Sequence, residues 1–172
     1  MPNRHGIPGL LLDPEASVLR EDVFRYSLSQ EIARAVRYRD FFSVCLAAVN
    51  APSSGGQGQD GAVLAAVSTA LGERIRRTDP IGLVSEGLGI LLLHVADEPA
   101  WVVAERLCTH VRQVAIPAGP QGVMGPITIS VGGACFPRHG QTEAALLTHA
   151  SQCLDVAQRR GGNRVVYDPT RP

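Results

Sequence analysis

Neither sign of charge is in excess in this sequence: sixteen basic side chains balance sixteen acidic ones. Nothing in the balance points towards nucleic acid or an anionic membrane as a partner. Long apolar runs are also missing. A run such as Gly89 to Val95 falls far short of the ~20 residues that a membrane-spanning helix needs. The opening stretch Met1-Pro2-Asn3-Arg4-His5-Gly6-Ile7-Pro8-Gly9 holds one arginine and two prolines and lacks a signal-peptide core. Cysteine is scarce: Cys45, Cys108, Cys135 and Cys153 are scattered with no CxxC pair, and three of them fall within apolar patterns. Buried reduced thiols are therefore expected, rather than disulfides or a zinc site. There are no internal repeats and no second domain. The expectation is a cytoplasmic, globular protein whose 172 residues are enough to bury a core.

The remaining pattern alternates between helical and strand periodicity. Val23, Phe24, Ser27, Leu28, Ile32, Ala35 and Val36 recur at helical spacing, which predicts a first helix over residues 19–38. The apolar run Phe41 to Val49 suits a buried central strand. Asn50 to Gly61, rich in Gly, Ser and Gln, reads as a loop. Val63, Leu64, Val67, Leu71 and Ile75 predict a second helix ending near Arg77, before Asp79-Pro80. Leu83-Val84 and Gly89-Ile90-Leu91-Leu92-Leu93 flank a short turn and read as a β-hairpin. A helix follows over Trp101 to Val114, then a Pro/Gly connector from Ala115 to Pro126 and a strand over Ile127 to Val131. Leu146, Leu147, Ala150, Cys153, Leu154 and Ala157 predict a helix that stops at Gly161-Gly162, and Arg164 to Tyr167 a last short strand. The order α-β-α-β-β-α-β-α-β predicts an α/β sandwich with a mixed sheet of about five strands flanked by helices.

Several motifs along this order resemble the GGDEF family, whose active members condense GTP into cyclic di-GMP on a palm-like domain. Asp13-Pro14 and the helix ending Ala33-Arg34-Ala35-Val36-Arg37 look like the family's entry segment, and Phe42-Ser43-Val44-Cys45-Leu46 like its first strand. The helix from Leu64 into Arg74-Ile75-Arg76-Arg77-Thr78-Asp79 resembles the segment that leads to the signature. Ile127 to Ala134 followed by Phe136-Pro137-Arg138-His139-Gly140 is similar to its "TxSxGxA…YPxxG" block. Gly161-Gly162-Asn163-Arg164-Val165 resembles its closing "GRNR" turn. The match covers residues 13–168, and the domain is expected to run over 13–172 behind an N-terminal arm of residues 1–12, whose Ile7, Leu10, Leu11 and Leu12 can pack on the domain or on a partner.

The resemblance implies where catalysis would sit, and this chain departs from the pattern at each place. Joining two GTP molecules needs a divalent metal held by carboxylates. At the end of the first strand, Ala48 and Asn50 stand at the two acidic positions. The five signature positions are Ser85, Glu86, Gly87, Leu88 and Gly89, with Gly87 and Leu88 in the acidic places and Glu86 where a glycine lets the backbone approach phosphate. Gly61, next to Asp60, takes the place of the guanine-recognising aspartate, and Gln158 and Gly162 replace the phosphate-binding lysine and arginine. These losses imply a degenerate domain that has no catalytic residue, no metal and no cofactor.

One motif of the family is kept. Arg76-Arg77-Thr78-Asp79 fits the RxxD pattern of the inhibitory site, six residues before the first signature position. In the family that Arg and Asp bind cyclic di-GMP, with further arginines from the next helix; here Arg106 or Arg112 is the counterpart. Guanidinium forks onto guanine or phosphate, and a carboxylate accepts from guanine N–H groups. The same residues also suit ordinary chemistry at the end of a helix and before a proline.

Other residues carry less. His94, His110 and His139 have no acidic or cysteine partner at metal spacing, so structural or solvated roles are expected. Ser130 lacks a nucleophile elbow. Gly55-Gly56-Gln57-Gly58 lacks a P-loop's Lys-Ser/Thr ending, and Trp101 is expected to be a packing anchor. The functional expectation is a catalytically inactive GGDEF-like domain in bacterial signalling that binds a protein partner. A cyclic di-GMP receptor using Arg76 and Asp79 is the alternative, and a residual cyclase comes last. Nucleic acid and membrane are not expected as partners; a homodimer is open, since active relatives work as dimers.

Overall fold

The computed structural model describes residues 11–51, 61–114 and 127–170. Its elements follow the expected order: α1 (Glu21–Tyr38), β1 (Phe42–Asn50), α2 (Gly61–Gly72), β2 (Ile81–Val84), β3 (Gly87–Leu93), α3 (Asp97–Gln113), β4 (Thr128–Phe136), α4 (Glu143–Arg159) and β5 (Val165–Val166). They build one five-stranded sheet in the order β2-β3-β1-β4-β5. It is mixed: β4 and β5 run parallel, and every other pair is antiparallel.

The centre is β1, paired with β3 on one side and β4 on the other. Its residues from Phe42 to Ala48 are all buried, as a strand covered on both faces requires. Alternation divides its side chains between two cores. Phe42, Val44, Leu46 and Ala48 join Phe24 and Leu28 of α1 and Leu146, Ala150 and Leu154 of α4. Cys45 and Ala47 join Val67 and Leu71 of α2 and Ala104, Leu107 and Val111 of α3. The helices bury residues spaced at three and four, such as Phe24, Leu28, Glu31 and Ala35 in α1. Thr142 caps α4 by accepting from the Ala145 N–H.

Two glycines set how closely helices approach the sheet. A Cβ on Gly132 would run into the Ala150 carbonyl and the Leu154 backbone of α4, and one on Gly89 would run into the Phe24 ring. The sheet edge at β2 is covered by the segment before α1. Leu19 bridges Gly82 and exchanges hydrogen bonds with Ile81 O and Leu83 N–H at 3.0 and 2.8 Å, while Leu12 pairs with Leu19. At the far end of α1, Arg34 forks onto Glu31 and reaches Asp40, which also meets His94 after β3. The Phe41 N–H and the Arg34 guanidinium hold the Asp40 carboxyl below its ordinary range.

Three expectations need correction. The second helix ends at Gly72, so Arg76 and Arg77 lie beyond it and not in its last turn; β4 extends to Phe136, well past Val131, because Gly132 and Gly133 are pressed beneath α4 and the Tyr167 ring and do not form a turn. Trp101 is 43% exposed, since the buried face of α3 is built by Ala100, Ala104, Leu107, Cys108 and Val111. Residues 1–10 of the arm, the Gly55–Gly58 stretch and the Ala115–Pro126 connector lie outside the described residues. Gly132→Val is expected to destabilise the fold by at least ~1–3 kcal/mol, measured by urea unfolding, because backbone atoms of α4 occupy the space its side chain needs.

Candidate functional site

The hairpin turns in two residues. Val84 pairs with Gly87, leaving Ser85 and Glu86 as the tip, where the Ser85 hydroxyl lies 2.5 Å from Glu86 Oε2. Gly87 holds φ +136°, in the region that favours glycine. Leu88 then points into the α2–α3 core and is fully buried. Gly89 sits opposite Leu46 under the Phe24 ring. Of these five positions, only Ser85 and Glu86 carry polar side chains.

The end of β1 forms a second group. Ala48 lies opposite Ser130, and Asn50 opposite Thr128. Asn50 Nδ2 donates to Ser130 Oγ at 2.9 Å and to Thr128 Oγ1 at 3.3 Å. Gly162, at φ +70°, covers the pair, and a Cβ there would come within 3.1 Å of Ser130 Oγ and 3.2 Å of Asn50 Nδ2. Ala48, Asn50 and Gly162 therefore meet at one end of β1 and β4. Gly61 starts α2, where the Glu15 side chain fills the space a larger residue would need. Gln158 is exposed near the end of α4. Between the hairpin tip, α1 and α4 lies a cleft of about 290 Å³ whose lining includes Leu46, Glu86, Glu21, Arg25 and Asp155. Arg25 is the only cation among these side chains, and it is paired with Glu143 at 2.7 Å and Glu21 at 3.8 Å. A triphosphate would meet three carboxylates there.

The RxxD residues are not presented together. Asp79 is 7% exposed, and its Oδ1 accepts from the Leu93 backbone N–H at 3.2 Å while its own N–H bonds Arg76 O at 3.0 Å. It ties the approach to β2 onto the end of β3. Arg76 is exposed. Arg106 lines a cleft of about 370 Å³ on the outer side of α3, but its neighbour there from the α2 side is Arg74. Arg112 is exposed on the same helix and does not line that cleft.

The family model described as "Diguanylate cyclase, GGDEF domain" matches residues 22–164. The chain belongs to the GGDEF family. Solved structures bear out the fold. The GGDEF domain of TpbB (YfiN) from Pseudomonas aeruginosa superposes with a TM-score of 0.79 at 20% identity, covering 90% of this chain and 92% of that one. The GGDEF domain of DgcB from Caulobacter crescentus, in complex with c-di-GMP, gives 0.80 at 16% identity over 94% and 98%. The diguanylate cyclase SiaD from Pseudomonas aeruginosa, in complex with its activator SiaC, gives 0.80 at 23% identity over 92% of this chain and 62% of that one. No curated protein matches the chain. Among the described residues, no helix is long and apolar enough to cross a membrane.

Ala48, Gly87 and Leu88 offer no carboxylate, and among the described residues no three His, Cys, Asp or Glu side chains converge as a donor set. All four cysteines are free and buried, and burial pushes each thiol up to about 12, as expected of inert core thiols. Ser130 is buried and accepts from Asn50, so its role is structural.

The histidines do have acidic neighbours, brought from distant sequence: His94 meets Asp40 at 2.7 Å, His110 meets Glu73 at 3.3 Å, and His139 lies 3.8 Å from Asp97. No local spacing reveals these pairs, because each joins two elements far apart in the chain. The sequence reading also missed His149, which stacks on His139 with ring centroids 4.1 Å apart and reaches Tyr167 O at 3.0 Å. The Cys135 N–H donates to His139 Nδ1, so the neutral ring carries its proton on Nε2. Burial, then the neighbouring His149, pulls the His139 pKa below its ordinary value, with Arg138 acting the same way and Asp97 and Asp168 opposing.

Two outcomes follow from these contacts. Asp79→Ala strands the Leu93 N–H and should cost ~1–3 kcal/mol in urea unfolding, whereas Asp79→Asn, which keeps an acceptor oxygen, should lose less. His139 binds its proton more readily when unfolded, so its contribution to stability is complete above about pH 6.5 and is lost as pH falls through its lower folded value. His139→Gln should flatten that acid-side decline, read as denaturation midpoints across the range.

Proposed function

We propose that this GGDEF domain is a pseudo-enzyme that makes no cyclic di-GMP and acts in bacterial signalling by binding a protein partner. The observation that carries the reading is the set of side chains where the family's metal ligands belong: Ala48 at the end of β1, and Gly87 and Leu88 after the hairpin tip. A buried Leu88 has no substitute function to offer, and a lone Glu86 beside Glu21 and Asp155 repels the triphosphate. The phosphate ligands are also replaced, by Gln158 and Gly162, and the sequence holds no lysine anywhere to take their part. Metal and phosphate ligands are lost together, and among the described residues no neighbouring group offers to restore them.

Protein binding has support of a different kind. SiaD, which shares the fold, forms a complex with a protein activator. A chain with this core and no metal ligands keeps a stable surface and loses only its reaction, which is what a regulatory or scaffolding partner needs. The cyclic di-GMP receptor reading takes its support from the DgcB complex and from the spacing of Arg76 and Asp79. It is the weaker one, because Asp79 is only 7% exposed and already accepts the Leu93 N–H on Oδ1.

Incubation of the purified chain with GTP and Mg²⁺ or Mn²⁺, followed by chromatography and mass spectrometry, is expected to give no cyclic di-GMP. Product above a protein-free control would overturn the pseudo-enzyme reading. Calorimetric titration with cyclic di-GMP is expected to give no saturable heat; saturable heat that disappears in Arg76→Ala would establish the receptor instead.

A further inference from the structure

We propose that the outer groove of α3 docks an acidic segment of a protein partner, anchored by an apolar side chain. The proposal rests on the protein-binding reading above and says where the partner sits and what its chemistry is. α3 turns Ala100, Ala104, Leu107, Cys108 and Val111 inwards. Its other side carries two ridges at helical spacing: Trp101, Glu105, Thr109 and Gln113 in one, and Val102, Arg106 and His110 in the other. Arg74, from the turn after α2, forms the facing wall and closes a cleft of about 370 Å³. From residue 101 to 113 the groove runs ~18 Å along the helix at 1.5 Å per residue.

The groove has two chemically different ends. At the first turn, Trp101 and Val102 are 43% and 47% exposed. An accessible tryptophan beside an aliphatic neighbour is the kind of residue that anchors interfaces. One turn further on, the cleft is cationic. Among the described residues Arg106 has no ion pair. Arg74 donates through Nε to His110 Nδ1 at 3.2 Å, and among the described residues the terminal nitrogens of its guanidinium have no hydrogen-bond partner. His110 accepts from Arg74 on Nδ1, and its Nε2 lies 3.3 Å from Glu73 Oε2. That chain fixes Arg74; Glu73 itself is 61% exposed and lies outside the lining of the cleft. Glu105 is then the one carboxylate in the lining, against two guanidinium groups.

Charge complementarity therefore selects an anionic occupant, and the exposed apolar end selects one that also carries a hydrophobic side chain. A peptide segment with an aromatic or aliphatic residue about one helical turn from two carboxylates satisfies both ends. Two guanidinium groups held on opposite walls fork onto separate carboxylates. The shift from Arg76 to Arg74 as the residue facing Arg106 also separates this groove from the buried Asp79.

A random-peptide display library selected on the full chain, in parallel with a Trp101→Ala/Arg74→Glu/Arg106→Glu variant of matching circular-dichroism spectrum, tests the assignment. Wild type is expected to enrich peptides that combine Asp or Glu with an aromatic or aliphatic residue. Their affinity should fall roughly tenfold or more in Arg106→Glu alone and weaken as salt is raised. Neutral or basic peptides, equal retention by the variant, or no enrichment would each overturn the groove as the docking site. So would cyclic di-GMP binding that is lost in Arg74→Glu/Arg106→Glu while no peptide is selected. Failure of the broader reading is distinguishable from all of these, since it shows as cyclic di-GMP formed from GTP.

Discussion

A strand with antiparallel partners on both edges and helices on both faces has no direction left open to water. β1 is that strand, and the rest of the domain is arranged around its burial. Its even-numbered side chains hold the α1–α4 core and its odd-numbered ones the α2–α3 core. A polar group in its middle would have to be satisfied internally, and Ser43 shows how: its hydroxyl bonds Val95 O at 2.8 Å. Only the last residues, Val49 and Asn50, emerge from full burial. An active site at the carboxyl end of such a strand depends on what stands at its final few positions, and here they are Ala48 and Asn50. The residues at those positions can thus vary without disturbing the sheet.

The close approach of the helices follows from the same constraint. Gly132 lets α4 lie on β4, Gly133 makes room for the Tyr167 ring, and Gly89 makes room for Phe24. Tyr167 in turn places its hydroxyl 2.9 Å from Cys45 Sγ in the centre of β1. Small residues in the strands and large ones from the helices and from Tyr167 after β5 interlock, and packing at this density tolerates little change of volume. These residues serve the scaffold alone. The surface is built differently. The hairpin cleft is acidic, and α3 turns a tryptophan and an arginine outwards.

The element order, the central strand and the thiol character of the cysteines were all legible in the sequence, because each depends on local periodicity or on the company an apolar residue keeps. The end of α2 was not. Leu71 and Ile75 keep helical spacing, yet Gly72 and the turn that follows release the chain, and only the docking of Asp79 on Leu93 N–H shows why it turns there. Trp101 was misjudged because a tryptophan in an amphipathic pattern reads as core; four smaller side chains and Leu107 already fill that space. At the candidate site, the sequence names the residues at the positions the family motifs indicate, Ala48, Gly87 and Leu88 among them. The RxxD spacing could be read too, but not that its Asp turns inwards.

The sequence by itself determined which chemistry is available: no carboxylate at Ala48, Gly87 or Leu88, four isolated cysteines, balanced charge, and an apolar periodicity that folds in one order. Those are properties of residue identity and short-range spacing, and no folding changes them. Only the tertiary structure decided which groups meet. It sent Asp79 to a backbone N–H, stacked His139 on His149, drew His94 to Asp40, and set Arg74 rather than Arg76 across from Arg106. Each of those pairings joins segments separated along the chain, and their geometry comes from how helices seat on a twisted sheet, which no local pattern records.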